Sequence, residues 1–203
     1  MALISTTEAK QMIPALTGST EDTLLTSLIS AAGQAMAAWC GYPSASVGVA
    51  PTMETTTYTR YQDGPGGRLL YLDVWPVVSV TSIYDSEDRR YGADDLVASG
   101  DYTLVEGESG LVELDWDAIH GSWSTAPRAI KATYVAGWAT VPESLKQAAR
   151  IAVRSLYDKR QTINLTNQNL GGASVGLVSP SHLPDEAKQL LSAYRLPRAL
   201  VPV

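Results

Sequence analysis

The sequence predicts an α+β fold in which an α-helical core encloses an inserted β-rich subdomain. Apolar residues recur at helical spacing near both ends of the chain, whereas the middle consists of short β-rich runs separated by turn residues. The middle also holds most of the acidic surplus. We therefore expect an N-terminal helical part at residues 1–51, a β-rich subdomain at 52–138, and a C-terminal part at 139–203. This last part should contain helices, a long loop and a tail, and pack against the first part.

Two helices are predicted in the N-terminal part. Ser5 and Glu8 have the spacing of a capping box, in which a hydroxyl and a carboxylate satisfy exposed backbone N–H groups at a helix start. A second start signal at residues 19–22 introduces an apolar stripe at helical spacing, which stops at Gly41. The stripe comprises Leu24, Leu25, Leu28, Ile29, Ala32, Ala35, Met36 and Trp39.

Six strands are predicted in the middle of the chain. Turn residues at Asp63–Gly67 and a charged stretch at Asp85–Arg90 separate runs of β-branched and aromatic residues. The segment Glu106–Gly110 lies between two such runs and predicts a hairpin. The predicted strands are Thr55–Tyr61, Leu69–Leu72, Val77–Tyr84, Tyr102–Val105, Leu111–Leu114 and Ala129–Val135.

The C-terminal part is predicted to contain two helices separated by a long loop. Pro142 and Glu143 favour a helix start, and the apolar periodicity continues to about Arg160. Residues 161–181 are rich in Asn, Gly, Ser and Thr, which predicts a flexible loop. Pro184 then begins a short helix, after which a tail containing prolines ends the sequence. The residues predicted to face inward are Leu145, Ala148, Ala149, Ala152, Val153, Leu156, Leu190, Leu191 and Tyr194.

Charge is unevenly distributed along the chain. Residues 1–127 hold 17 acidic and 5 basic side chains, a net charge of −12, whereas residues 128–203 hold 4 acidic and 10 basic, a net charge of +6. Between residues 52 and 117 there are 14 acidic and 4 basic side chains, which predicts a solvated, outward-facing subdomain. The acidic and basic parts should therefore approach different partners.

Composition excludes several function classes. No apolar run approaches the roughly 20 residues that span a bilayer, and no basic region followed by an apolar stretch opens the chain, so we expect no membrane contact and no secretory signal. The single cysteine, Cys40, is expected to be a buried, inert thiol. These features predict a protein made in the cytoplasm.

The sequence contains no motif for catalysis or metal binding. His120 and His182 each lack a motif that supplies a partner, and we interpret them as exposed or capping histidines. Asp115 and Asp117 have the spacing of paired carboxylates on a strand but no companion ligands, which favours two solvated acids at a hairpin end. We therefore expect no enzyme activity, no cofactor and no metal.

The third predicted helix carries basic residues at steps of four. Three interpretations stay open: a solvated helix face, an interface between subunits, and weak contacts with phosphates. Neither interleaved aromatic residues nor a recognition motif indicates sequence-specific reading of bases. This basic face comprises Lys146, Arg150 and Arg154, continued by Lys159 and Arg160.

The order of segments and several local phrases resemble the head-tail connector (adaptor) family of tailed phages, which includes the adaptors of gene transfer agents. The resemblance covers nearly the whole chain, and its specificity comes from the order and spacing of the phrases. The phrases are Thr6–Lys10, Glu21–Ile29, Trp39–Gly41, Trp75–Tyr84, Tyr134–Trp138, Val141–Lys146 and Leu183–Arg195.

The resemblance implies a structural virion protein of the neck, made in the cytoplasm of a bacterial host. Such a subunit joins a dodecameric ring that docks beneath the portal protein, extends the channel for double-stranded DNA, and offers a platform to the stopper or tail. The basic face would then line the channel or meet a neighbouring subunit, with only non-specific contacts to DNA. The candidate contacts with the portal or a neighbour are Asn164, Asn167, Asn169, Arg195 and Arg198.

Two rival interpretations remain. One is another virion component, such as a stopper, tail-completion or decoration protein, which would share the absence of catalytic motifs. The other is a hydrolase or carbohydrate-binding module whose site contains Asp115, Asp117 and His120. The β-rich insertion also departs from shorter members of the resembled family, which are mainly helical, and we expect it to contact tail or capsid.

Overall fold

The fold comprises two compact units, which the computed structural model describes for residues 3–13, 16, 18–118, 121–160, 167–170, 173–176 and 183–196. The helical unit consists of Met1–Cys40 and Val141–Arg195. The β-rich unit consists of Gly41–Thr140 and Leu196–Val203. Helices combined with antiparallel sheets confirm the predicted α+β class.

Within its described residues, the helical unit contains four helices: α1 (Thr6–Lys10), α2 (Asp22–Cys40), α3 (Glu143–Lys159) and α4 (Asp185–Leu191). A 3-10 turn at Ser192–Tyr194 follows α4. The predicted capping box is present at α1, where Ser5 N–H donates to Glu8 Oε2 at 2.7 Å and Glu8 N–H donates to Ser5 Oγ at 3.2 Å. Helix α3 ends one residue before the predicted Arg160, which instead caps it.

The core of the helical unit contains many small side chains. Ala32 and Ala37 on α2 and Ala148 and Ala152 on α3 are fully buried, so the two helices approach closely where they pack. Leu24, which we predicted to face inward, is 39% exposed. The buried stripe on α2 is therefore narrower than the apolar stripe in its sequence. The buried residues of the two helices are Leu25, Ile29, Ala32, Met36, Ala37, Cys40, Leu145, Ala148, Ala149, Ala152, Val153 and Tyr157.

The described part of the β-rich unit contains two antiparallel sheets. The larger sheet has the strand order β1-β7-β3-β4 and the smaller one has the order β2-β6-β5. Each predicted strand is present within one or two residues of its predicted bounds, and the two-residue strand β4 was not predicted. The strands are β1 (Thr56–Gln62), β2 (Leu69–Tyr71), β3 (Val77–Asp85), β4 (Leu96–Val97), β5 (Tyr102–Glu106), β6 (Leu111–Leu114) and β7 (Ile130–Ala136).

A buried polar network ties the larger sheet to the segment after β2. Tyr134 is fully buried, and its hydroxyl donates to Asp73 Oδ1 at 2.6 Å while accepting the Val74 N–H at 3.2 Å. Arg60 lies 2.7 Å from the other oxygen of Asp73. Burial, and then the charge of Asp73, raise the pKa of the Tyr134 hydroxyl above its ordinary value. The phenol therefore stays protonated and keeps donating.

The predicted flexible loop at residues 161–181 contains a hairpin, which corrects that part of the prediction. Strands β8 (Asn167–Leu170) and β9 (Ala173–Gly176) pair in an antiparallel register, with Leu170 opposite Ala173. In the sequence, Gly171 and Gly172 separate them, and a Gly-Gly pair between two short runs is a recognised hairpin signal. Polar composition concealed this signal, because the strands contain few β-branched or aromatic residues.

Candidate interaction surfaces

The basic face on α3 divides into residues with different partners. Arg150 is only 15% exposed and lies 2.6 Å from Glu143 and 3.4 Å from Glu8. Lys146 also contacts Glu8, at 3.5 Å. Hydrogen bonds from Ser5, and then Lys146, hold the pKa of Glu8 below its ordinary value. These two cations therefore join α3 to the start of α1.

Arg160 at the end of α3 also has a structural partner. Its guanidinium lies 3.4 Å from the centroid of the Tyr157 ring and 3.8 Å from Glu21. The Tyr157 hydroxyl donates to the same Glu21 carboxylate at 2.7 Å. Both side chains thus connect α3 with the residue that precedes α2.

Arg154 is the most accessible cation of the basic face whose exposure is recorded. Its side chain is 55% exposed and faces Asp158, one turn later, at 3.6 Å. Exposed ion pairs of this kind contribute little to stability. Arg154 and Lys159 line a groove of about 420 Å³ within the helical unit. The other lining residues are Met12, Ile151, Ser155, Asp158, Pro184 and Glu186.

The predicted contacts with a portal or neighbour lie mostly beyond or at the edge of what the structure describes. Asn164 and Arg198 are outside the described residues, whereas Asn167 and Asn169 lie on β8. Arg195 is exposed, and its guanidinium lies 4.8 Å from the centroid of the Trp39 ring.

The residues of the enzyme interpretation do not form a described site. Asp115 Oδ1 accepts a hydrogen bond from Thr103 Oγ1 at 3.1 Å, and Asp117 is exposed. His120 and His182 lie outside the described residues. Among the residues that the structure describes, no group of three or more metal-ligating side chains could hold an ion. A separate hollow of about 550 Å³ is acidic and includes Asp85, Glu87 and Asp88.

A cluster of tyrosines and cations on the outer face of the larger sheet was missed by the sequence analysis. Tyr61, Lys131 and Tyr84 lie side by side across β1, β7 and β3. The ring centroids of Tyr91 and Tyr61 lie 5.2 Å apart, and the Arg128 guanidinium lies 5.5 Å from the centroid of the Tyr61 ring. We call these five residues the tyrosine–cation patch. Strand alternation was the available signal, since Lys131 lies between the buried Ile130 and Ala132, and Tyr61 is out of phase with the buried Tyr58.

Two residues of the patch are held in an unusual backbone conformation. Tyr91 has φ +52° and Arg128 has φ +56°, and the Tyr91 hydroxyl donates to the Arg128 carbonyl at 2.6 Å. The left-handed region costs roughly 1–2 kcal/mol for a residue with a Cβ, and such outliers cluster at functional sites. The strain is therefore a reason to treat the patch as a candidate functional surface.

A known protein family resembles nearly the whole chain. The model of the family described as Head completion protein matches residues 2–196. No curated protein matches the chain. Within the described residues, no helix is both long and apolar enough to cross a membrane.

Proposed function

The chain belongs to the head completion protein family, and from that premise we propose that it is a head-tail connector subunit. It has a structural role in the phage head, as a virion component that acts with other head components. In our proposal it assembles into a dodecameric ring beneath the portal protein. The ring extends the DNA channel and receives the stopper or tail.

The observation that carries the proposal is the extent of the family match. Residues 2–196 take in both the helical unit and the β-rich unit. The matched region also contains the phrases that resemble head-tail connectors. Ring subunits function through adhesive surfaces and not through a catalytic pocket, so we propose that the protein is not an enzyme.

Within the helical unit, we propose that Arg154 provides the exposed part of the basic face, with the half-buried Lys159 lining the same groove. The face also contains three cations that form ion pairs with carboxylates of the same unit: Lys146, Arg150 and Arg160. A few exposed cations suit a DNA channel, because each neutralised phosphate adds to affinity and a channel must let DNA slide. Asn164, Asn167, Asn169, Arg195 and Arg198 remain our candidates for contact with the portal or a neighbour.

The test is the mass of the purified full chain in solution, alone and mixed with the portal protein from the same genome. Light scattering should show either a ring or a monomer that joins the portal in multiple copies. A protein that stays monomeric and does not bind the portal protein would overturn the connector proposal. Binding at another site of the neck would then favour a stopper or tail-completion protein.

A further inference from the structure

A tryptophan on the β-rich unit points into solvent. Trp116 is 87% exposed, the highest value among the aromatic side chains recorded as exposed. Acids flank it on both sides, and we call Asp115, Trp116 and Asp117 the acidic tryptophan tip. Keeping so large an apolar ring in water is unfavourable, and tryptophans of this kind are enriched where binding energy concentrates.

The acidic tryptophan tip is held in place by its own unit. Asp115 N–H donates to the Asp101 carbonyl at 2.8 Å, and the Asp115 carboxylate accepts from Thr103. The Ala118 N–H closes the turn by donating to the Asp115 carbonyl at 3.1 Å. The indole is therefore presented on an anchored turn, which lowers the entropy lost when it binds.

The tyrosine–cation patch offers the complementary chemistry. Within the described chain, Arg128 and Lys131 have tyrosine rings as partners and no carboxylate within ion-pair distance. Arg60, Arg68 and Arg90 of the same unit each lie near a carboxylate. The patch thus combines aromatic surface with two cations that form no side-chain ion pair within the described chain, although the Asp63 carboxylate accepts the backbone N–H of Arg128 at 2.8 Å.

We propose that the acidic tryptophan tip of one copy docks on the tyrosine–cation patch of the next copy. Trp116 would pack against the tyrosines and the Arg128 guanidinium, while Asp117 would pair with Lys131 or Arg128. The occupant is a second copy of this chain because one chain carries both complementary surfaces. The inference rests on the proposed ring and names the surfaces through which its subunits meet.

The two surfaces differ, so the contact is head-to-tail. An interface between unlike surfaces repeats from copy to copy, and it closes into a ring when the rotation between copies allows. Because the tip and the patch both belong to the β-rich unit, the same unit would supply both halves of each contact. The acidic surplus of that unit then has a use, since part of it neutralises cations of a neighbour.

The test compares assembly of full-length variants by light scattering over a concentration series, alone and with the portal protein. We expect Trp116→Ala to raise the concentration for half-assembly at least about tenfold, as for a residue at an interface hot spot. Arg128→Glu should have a similar effect. Two matched controls should assemble like the wild type: Tyr71→Ala, which removes another exposed ring, and Glu108→Arg, which changes an exposed acid on the same unit.

A charge exchange gives the most specific readout. Asp117→Arg alone should impair assembly, and combining it with Arg128→Glu should restore the half-assembly concentration to within about threefold, since contacting residues are coupled. Circular dichroism checks that each variant is folded, which we expect because all the changed side chains are exposed. Restoration by the exchange supports direct contact between the two surfaces.

Two results would overturn the inference. If the wild type forms rings and every variant of the tip and patch assembles equally well, the contact is wrong while the connector proposal stands. If the wild type forms no assembly, with or without the portal protein, both the contact and the connector proposal fail.

Discussion

Arg150 of the helical unit and Arg128 of the β-rich unit have opposite kinds of neighbour. In the helical unit, where 8 basic and 7 acidic side chains nearly balance, Arg150 is mostly buried between Glu8 and Glu143. In the β-rich unit, which carries the acidic surplus, Arg128 and Lys131 rest on tyrosine rings. The net charge of a region therefore does not tell whether its cations are available to a partner. That depends on the neighbours that the fold supplies.

The strongest way to separate the two units is to destabilise one of them at its backbone. Gly137 has φ +117°, and a Cβ there would lie 2.3 Å from the Glu54 carbonyl oxygen. We expect Gly137→Ala to lower the free energy of unfolding of the β-rich unit by about 3–5 kcal/mol. Urea unfolding monitored by hydrogen exchange measures the loss in each unit.

The control for Gly137→Ala is Gly67→Ala, because a Cβ at Gly67 meets nothing within 4 Å. It should change stability by less than about 1 kcal/mol. Equal losses in the two variants would contradict the steric argument. Equal loss of protection in both units would show that they unfold together.

The second prediction contrasts a buried cation with an exposed one on the same helix. Arg150→Met leaves Glu143 and Glu8 without that partner, so we expect a loss of about 2–4 kcal/mol. Arg154→Met removes an exposed pair with Asp158 and should change stability by less than about 0.5 kcal/mol. Urea midpoints measure both. If both variants lose similarly little stability, the burial of Arg150 does not make its ion pairs contribute more than the exposed pair of Arg154.

The third prediction concerns pH and the capping box. Because the folded pKa of Glu8 lies below its ordinary value of 4.5, its contribution is present above that pH and is lost as pH falls through the lowered value. Glu8→Gln should therefore be less stable than the wild type at pH 7, by on the order of 1 kcal/mol. Thermal unfolding from pH 7 to pH 3 should show the gap closing. If the stability difference between Glu8→Gln and the wild type stays constant from pH 7 to pH 3, the charge of Glu8 does not contribute to stability.

The smallest expected effect concerns the patch itself. Arg128 makes one cation–π contact and no ion pair in the described chain, so Arg128→Met should alter stability by no more than about 0.5–1 kcal/mol. Chemical unfolding of the isolated subunit checks this. A large loss would mean that the cation serves the fold, and it would weaken the case for an outward role.

Local signals in the sequence predicted most of the fold. The capping box at Ser5 and Glu8, the break at Gly41 and the hairpin at Glu106–Gly110 depend on neighbours in sequence, and each is present. Burial of Cys40 is also as expected. Strand β4 was not predicted because a run of two residues shows no periodicity. Leu24 was predicted to face inward but is exposed, because the apolar pattern of a helix does not show how much of that helix its neighbours cover.

The candidate surfaces were harder to predict, because they depend on residues far apart in sequence. Steps of four along α3 predict one face for Lys146 and Arg150, but the sequence could not reveal that Glu8 would contact both side chains. The tyrosine–cation patch joins three strands whose register follows from the whole sheet. Trp116 lies in the Asp-Trp-Asp phrase, whose spacing is typical of paired carboxylates and gives no indication that the ring is exposed.

The left-handed residues of the patch have a consequence for how this protein can change over time. Asn or Gly tolerates the backbone of Tyr91 and Arg128 better than the residues present. Selection for the stability of an isolated subunit would therefore favour replacing both. Such variants would be more heat-tolerant yet would lack an aromatic ring and a cation. In the proposed contact between copies, only selection acting on the finished particle would retain Tyr91 and Arg128. Selection for subunit stability and selection for particle assembly would then favour different residues at these two positions.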